Sequence, residues 1–194
     1  MGIKRFGDFD KTKGYGDSQS LPKGGYKVRI LGATIHENRI GQYVKVMADI
    51  AEGPYKDFYK NDYDSQQSED KKWRCNYLLN VPLDDGSEKD GWTKRKFKTF
   101  TEALEASNDG YHFDWDETKF KGLLIGGLFN IREYEKDDGS IGSATNFAQV
   151  CSIDKIEKGT FKLPDDKLLA RKVAPAGDEE FMKLPEGSDE ELPF

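Results

Sequence analysis

The stretch GYKVRILGATIHENRIGQYVKVMADI, residues 25–50, alternates apolar and polar side chains in two successive runs. In the first run Tyr26, Val28 and Ile30 fall on one side, interleaved with Lys27, Arg29 and Leu31. That is the period of a half-buried strand. Gly32 interrupts it as a bulge or bend, and ATIHE continues the run to Asn38. After the turn Asn38-Arg39-Ile40-Gly41, Val44, Val46, Ala48 and Ile50 share one face. Tyr43, Lys45, Met47 and Asp49 share the other. The pattern predicts two strands, and the remaining elements are placed around them.

Glu52-Gly53-Pro54 marks a second turn. YKDFYKNDYD, residues 55–64, reads as a third strand with Tyr55, Tyr59 and Tyr63 on one face and Phe58 on the other. Residues 64–91 combine a polar stretch, the mixed segment KKWRCNYLL and the turn-rich DDGSEKDG, and read as an insertion. In TKRKFKTFTEALEASN, Phe97, Phe100 and Leu104 stand at i, i+3 and i+7, one stripe of an amphipathic helix that Asn108-Asp109-Gly110 stops. Asp114 and Glu117 have the spacing of a capping box for a short further helical turn. GLLIGGLFNIREYE then places Leu123, Ile125, Phe129 and Ile131 on one face of a fourth strand. Asp138-Gly139 is a strong hairpin signal, with SIGSATNFAQVCSI as the return strand. The expected fold is all-β with one main helix: an OB-fold-like five-stranded Greek-key barrel, with an insertion between strand 3 and the helix. Another small barrel or an open α+β meander is the alternative, and the βαβ alternation of a parallel α/β sheet is absent.

Three parts follow: an arm at residues 1–23, the OB-fold-like domain at 24–163 and an acidic, flexible tail at 164–194, least ordered over Val173–Phe194. Four of the seven prolines (Pro164, Pro175, Pro185 and Pro193) lie in that end. The formal net charge of −6 is unevenly shared. Residues 1–173 hold 29 basic and 29 acidic side chains, whereas 174–194 hold only Lys183 against seven carboxylates, 1 − 7 = −6. A neutral body carries an acidic tail.

Several function classes fall away. No apolar run has the length to cross a bilayer, and MGIKRFGDFDKTKGYG lacks the apolar stretch of a secretory signal, so a cytoplasmic protein without a membrane partner is expected. Gly2 is a weak myristoylation signal, because Phe6 stands where Ser or Thr is needed. Cys75 and Cys151 form no CxxC and read as reduced, partly buried thiols. His36 and His112 are too few for a recognisable zinc site, and neither metal nor cofactor is expected. No P-loop, dinucleotide fingerprint or nucleophile elbow occurs. The carboxylates Asp62, Asp64, Glu69 and Asp70 fit no EF-hand spacing, so a binding module is favoured over an enzyme.

The body interleaves cations with aromatic rings. Lys27 and Arg29 on the first strand and Tyr43 and Lys45 on the second lie opposite the apolar faces. Tyr59, Lys60 and Tyr63 follow on the third. Trp73 and Arg74 lie in the insertion, Trp92 and Lys94-Arg95-Lys96 precede the helix, and Arg132 and Tyr134 end the fourth strand. Such pairing suits single-stranded nucleic acid, where cations follow phosphates and rings accept unstacked bases at roughly 1–3 kcal/mol each. Tyr and Lys alternating on an exposed sheet face are also ordinary strand composition. The body alone leaves the two readings level.

The last six residues, Asp189, Glu190, Glu191, Leu192, Pro193 and Phe194, resemble the acidic tip of bacterial single-stranded-DNA-binding proteins, commonly acidic residues followed by Ile-Pro-Phe. A terminal ring beside an α-carboxylate suits an apolar pocket with a basic rim, and the Pro limits the conformations lost on docking. The segments GDFDKTKGYGD, LPKGGYKVRIL and DIAEGPYKDFYKNDYD are similar to the divergent single-stranded-DNA-binding proteins of phages and integrative elements. The resemblance implies sequence-tolerant binding and protection of single-stranded DNA during replication or recombination. It implies that replication, repair or recombination enzymes are recruited through residues 189–194, and it is compatible with a homo-oligomer. The alternative is an OB-fold adaptor that binds RNA or protein and carries a merely solubilising tail.

Overall fold

In the computed structural model, which describes residues 3–5, 7, 9 and 20–169, the alternation over residues 25–50 becomes an antiparallel pair. β1 (Gly24–Asn38) and β2 (Gly41–Ile50) meet through the two-residue turn Arg39-Ile40, where the Asn38 side chain accepts from Ile40 N. The register shifts between Ile30 and Gly32, the bulge that Gly32 predicts. Val44, Val46, Ala48 and Ile50 are all buried, as their shared face requires.

The next element differs from the sequence reading. Residues 55–64 do not form a strand; Phe58–Ser65 is a helix, α1. Tyr55, Tyr59 and Tyr63 recur every four residues, which fits a helical face as well as a period of two. Asp49, distant in sequence, decides between them. Its Oδ1 accepts from Ile50 N at 2.8 Å and Tyr59 N at 2.9 Å, and its Oδ2 accepts from Lys60 N at 2.9 Å. The bonds from Tyr59 and Lys60 satisfy first-turn N–H groups that a helix of this length otherwise leaves orphaned.

The third strand instead lies inside the segment expected to be an insertion. β3 (Asn76–Asn80) pairs with β2. The helix α2 (Glu88–Ser107) also starts within that segment, because the Ser87 side chain caps it by accepting from Asp90 N. Phe97, Phe100 and Leu104 are buried along its inner stripe. Asn108 ends it as expected, and its side chain ties the helix terminus to Leu104 O and to both main-chain groups of Leu124. The short 3₁₀ turn Glu117–Phe120 is capped by Asp116 rather than Asp114. β4 (Leu124–Glu135) and β5 (Ile141–Cys151) form the second hairpin around Asp138-Gly139, with Gly139 at φ 78°. A one-turn helix, α3 (Ile153–Glu157), follows.

The result is mostly β: one five-stranded antiparallel sheet, order β3-β2-β1-β4-β5, with few helices. The sheet is open, and a closed barrel is not formed. Its two edge strands nevertheless approach through their side chains, Tyr77 of β3 lying 5.1 Å from Phe147 of β5 between ring centroids. Tyr77 also stacks on Phe100 of α2, and Phe147 stacks on Phe129 of β4. Aromatic packing therefore holds the curled sheet around α2. Residues 164–169, expected to belong to the tail, run beside β4 through an Arg132–Lys167 bridge. Among the described residues no helix is long and apolar enough to cross a membrane. The tip at 189–194 lies outside the described residues.

Candidate nucleic-acid interface

A groove of about 730 Å³ opens where β3 and β5 fail to pair. β2 contributes Tyr43 and Lys45, which alternation turns away from the core. Leu78 and Asn80 lie beside them on β3, since Lys45 pairs with Leu78 and Tyr43 with Asn80. α2 adds Lys89, Trp92 and Lys96, Arg132 comes from β4, Asn146 and Ala148 from β5, and Lys167 from the segment after the sheet. Lys89, Trp92 and Lys96 stand at i, i+3 and i+7, one outward stripe of the helix whose inner stripe is Phe97, Phe100 and Leu104.

The charge pattern separates this groove from the rest of the surface. Among the described residues five cations line it (Lys45, Lys89, Lys96, Arg132 and Lys167) and no carboxylate does. Among the described residues none of the five forms an ion pair. Trp92 is 56% exposed, with the Arg95 guanidinium 4.7 Å from its ring centroid. Tyr43 stacks on His36 of β1, with ring centroids 5.5 Å apart. A second groove of about 500 Å³ shares Tyr77, Trp92, Lys96, Ala148 and Lys167, and continues toward Arg95, Gln149 and Pro164. Trp92 thus stands where the two join.

Of the fifteen residues that the sequence reading names, Tyr43, Lys45, Trp92, Lys96 and Arg132 come together here. The others lie elsewhere. Tyr59 is a core residue, 5% exposed and packed on Phe129, and burial pushes its phenol pKa up. It cannot offer a face to a base. Trp73 is half-buried and donates its indole N–H to Ala48 O at 3.0 Å, with Tyr63 packed against it and Lys71 over the Tyr63 ring. Lys27 sits between Glu52 at 2.5 Å and Glu157 at 2.7 Å, which together raise its pKa. Lys60 pairs with Asp64 and Arg74 with Asp62. Arg29 and Tyr134 are exposed, yet neither lines the groove.

Lys89, Asn146 and Lys167 are absent from the sequence reading. The i, i+3, i+7 spacing of Lys89, Trp92 and Lys96 was the available signal, and it is visible only once the helix is begun at Ser87. Neither a protein-family model nor a curated protein matches the chain.

Proposed function

We propose that the chain binds single-stranded nucleic acid, DNA in the first instance, along this groove, without sequence preference. The observation that carries the reading is the lining: among the described residues, five cations and no carboxylate, beside an exposed Trp and a Tyr, on a body whose charges sum to zero. Cations on flexible stems follow phosphates, and a ring accepts any base on its π face. The strand order supports an OB-type scaffold: β1 lies between β2 and β4, so joining β3 to β5 would complete a five-stranded ring. OB-folds are partly open Greek-key barrels that bind oligonucleotides on the face of strands 2 and 3, which here presents Tyr43, Lys45, Leu78 and Asn80.

The tip Asp189–Phe194 is the second half of the proposal. Its resemblance to the acidic tip of bacterial single-stranded-DNA-binding proteins supports recruitment of replication, repair or recombination enzymes, separately from strand binding. Deleting residues 189–194 leaves oligo-dT affinity intact or tighter and abolishes partner capture.

The groove reading is tested by titrating intrinsic Trp fluorescence with oligo-dT at low salt. The expected result is saturable quenching that is largely lost in Trp92→Phe. Absence of binding at low salt, or quenching unchanged in Trp92→Phe, contradicts it.

A further inference from the structure

The segment Pro164–Leu169 is fastened to the sheet more firmly than a tail base requires. β1 begins at Gly24, opposite Phe129, so beyond that point β4 has no β1 neighbour. The segment occupies that place. Lys167 N donates to Ile131 O at 2.8 Å, and Lys167 O accepts from Glu133 N at 2.9 Å. Asp166 Oδ1 accepts from Ile131 N at 3.0 Å, and Asp166 Oδ2 pairs with Lys23 Nζ at 2.7 Å. The amide of Asn130, itself 1% exposed, donates to Asp165 O. The Lys23 ammonium and the Ile131 N–H hold the Asp166 carboxyl below its ordinary value.

Neighbouring residues on an extended segment point to opposite sides. Lys167 lines both grooves, whereas Asp166, which lines neither, is turned onto β4 and neutralised by Lys23. We infer that Pro164–Leu169 is a strap forming one wall of the binding groove, with Lys167 as a phosphate-contacting residue and Asp166 as the positioning residue that aims it. The inference rests on the nucleic-acid reading of the groove.

The sign of one substitution separates positioning from plain electrostatics. Removing a carboxylate beside a basic groove strengthens anion binding if only the field matters. If Asp166 aims Lys167, Asp166→Ala weakens it instead. The experiment measures oligo-dT affinity of the full chain from 50 to 200 mM salt for wild type, Asp166→Ala, Asp166→Asn, Lys167→Ala and the double Ala variant. One lost phosphate contact is worth about fivefold at 0.1 M salt and about 0.7 in the slope of log K against log salt. Both single Ala variants are expected to show that loss, and the double variant no more. Asp166→Asn, which keeps an acceptor for Ile131 N, recovers part of it. Lys167→Ala leaves every main-chain bond of the strap in place, so it reads the contact without loosening the fold. Binding by Asp166→Ala as tight as or tighter than wild type, or an unchanged slope in Lys167→Ala, overturns the strap's role. No binding by wild type overturns the groove reading itself.

Discussion

The outward face of β2 is used in two different ways along one strand. At its start, Tyr43 and Lys45 open into a groove lined, among the described residues, by five cations and no carboxylate. At its end, Asp49 of the same face is 4% exposed beneath α1, whose first turn it caps. Around that covered end the cations are spent internally: Lys27 on Glu52 and Glu157, Lys60 on Asp64, Arg74 on Asp62. Alternation therefore says which way a side chain points. It does not say what covers it or which carboxylate reaches it first.

The largest effect that sharpens this contrast is on stability. Tyr59→Ala removes a buried ring from between Phe58 and Phe129 and is expected to cost about 3–5 kcal/mol by urea denaturation. Oligo-dT affinity of the folded fraction is expected to stay the same. A loss of affinity with unchanged stability would put Tyr59 in the interface.

Binding is expected to divide the other way. Replacing Lys45, Lys96 and Arg132 together by Ala removes three contacts, each worth about 0.7 of a decade at 0.1 M salt, so oligo-dT affinity falls about 100-fold. Replacing Lys27, Lys60 and Arg74 is expected to change it less than about twofold, because those cations are already neutralised. Equal losses from the two triples would erase the distinction. For the wild type, five phosphate contacts predict a slope of log K against log salt near −3.5, or about 100-fold weaker binding from 50 to 200 mM.

Trp92→Ala is expected to lose about 1–3 kcal/mol of binding, the stacking of one base, with little change in the urea midpoint. Trp73→Ala should do the reverse, since that ring packs on Tyr63 and bonds Ala48 O.

The smallest effect concerns Asp49. Asp49→Asn turns an amide NH₂, a donor, toward Lys60 N and orphans that N–H, at about 1 kcal/mol, the low end for a buried unsatisfied donor. Desolvation holds the Asp49 carboxyl above its ordinary value despite the three N–H bonds. The folded state then keeps this proton more tightly than the unfolded chain. Its contribution is full below the unfolded pKa of about 3.9 and is lost as pH rises through the folded value. Wild type is therefore expected to exceed Asp49→Asn by more at pH 4 than at pH 7 in urea midpoints; a gap that widens with pH contradicts this.

The hairpin at residues 25–50 was legible because Val28 and Ile30 of β1 and Val44, Val46, Ala48 and Ile50 of β2 are buried on one face, which imposes a period of two even though residues 34–38 are exposed. α1 was not, since tyrosines four apart satisfy two periods and the deciding carboxylate, Asp49, is ten residues from Tyr59. β3 escaped because NYLLN is short and buries only Tyr77 and Leu79, leaving Leu78 59% exposed. On α2 the outward stripe was cut in half by starting the helix after Trp92. Of the cluster Lys94-Arg95-Lys96, only Lys96 lines the main groove; Lys94 pairs with Asp84 and Asp90, and Arg95 lies over Trp92. Lys167 was hidden by its proline-containing, acidic surroundings, which resemble the tail composition until the bonds to β4 are seen.

The most direct test of where a strand lies is a ¹H–¹⁵N correlation spectrum recorded during titration with a short oligo-dT. Shifts are expected to concentrate on Tyr43, Lys45, Leu78, Ala148, Lys167 and the Trp92 indole N–H, with residues 58–65 and Arg74 unmoved. Shifts confined to α1 and the Lys27 and Arg74 surroundings, or no shifts at all, would contradict the groove as the binding site.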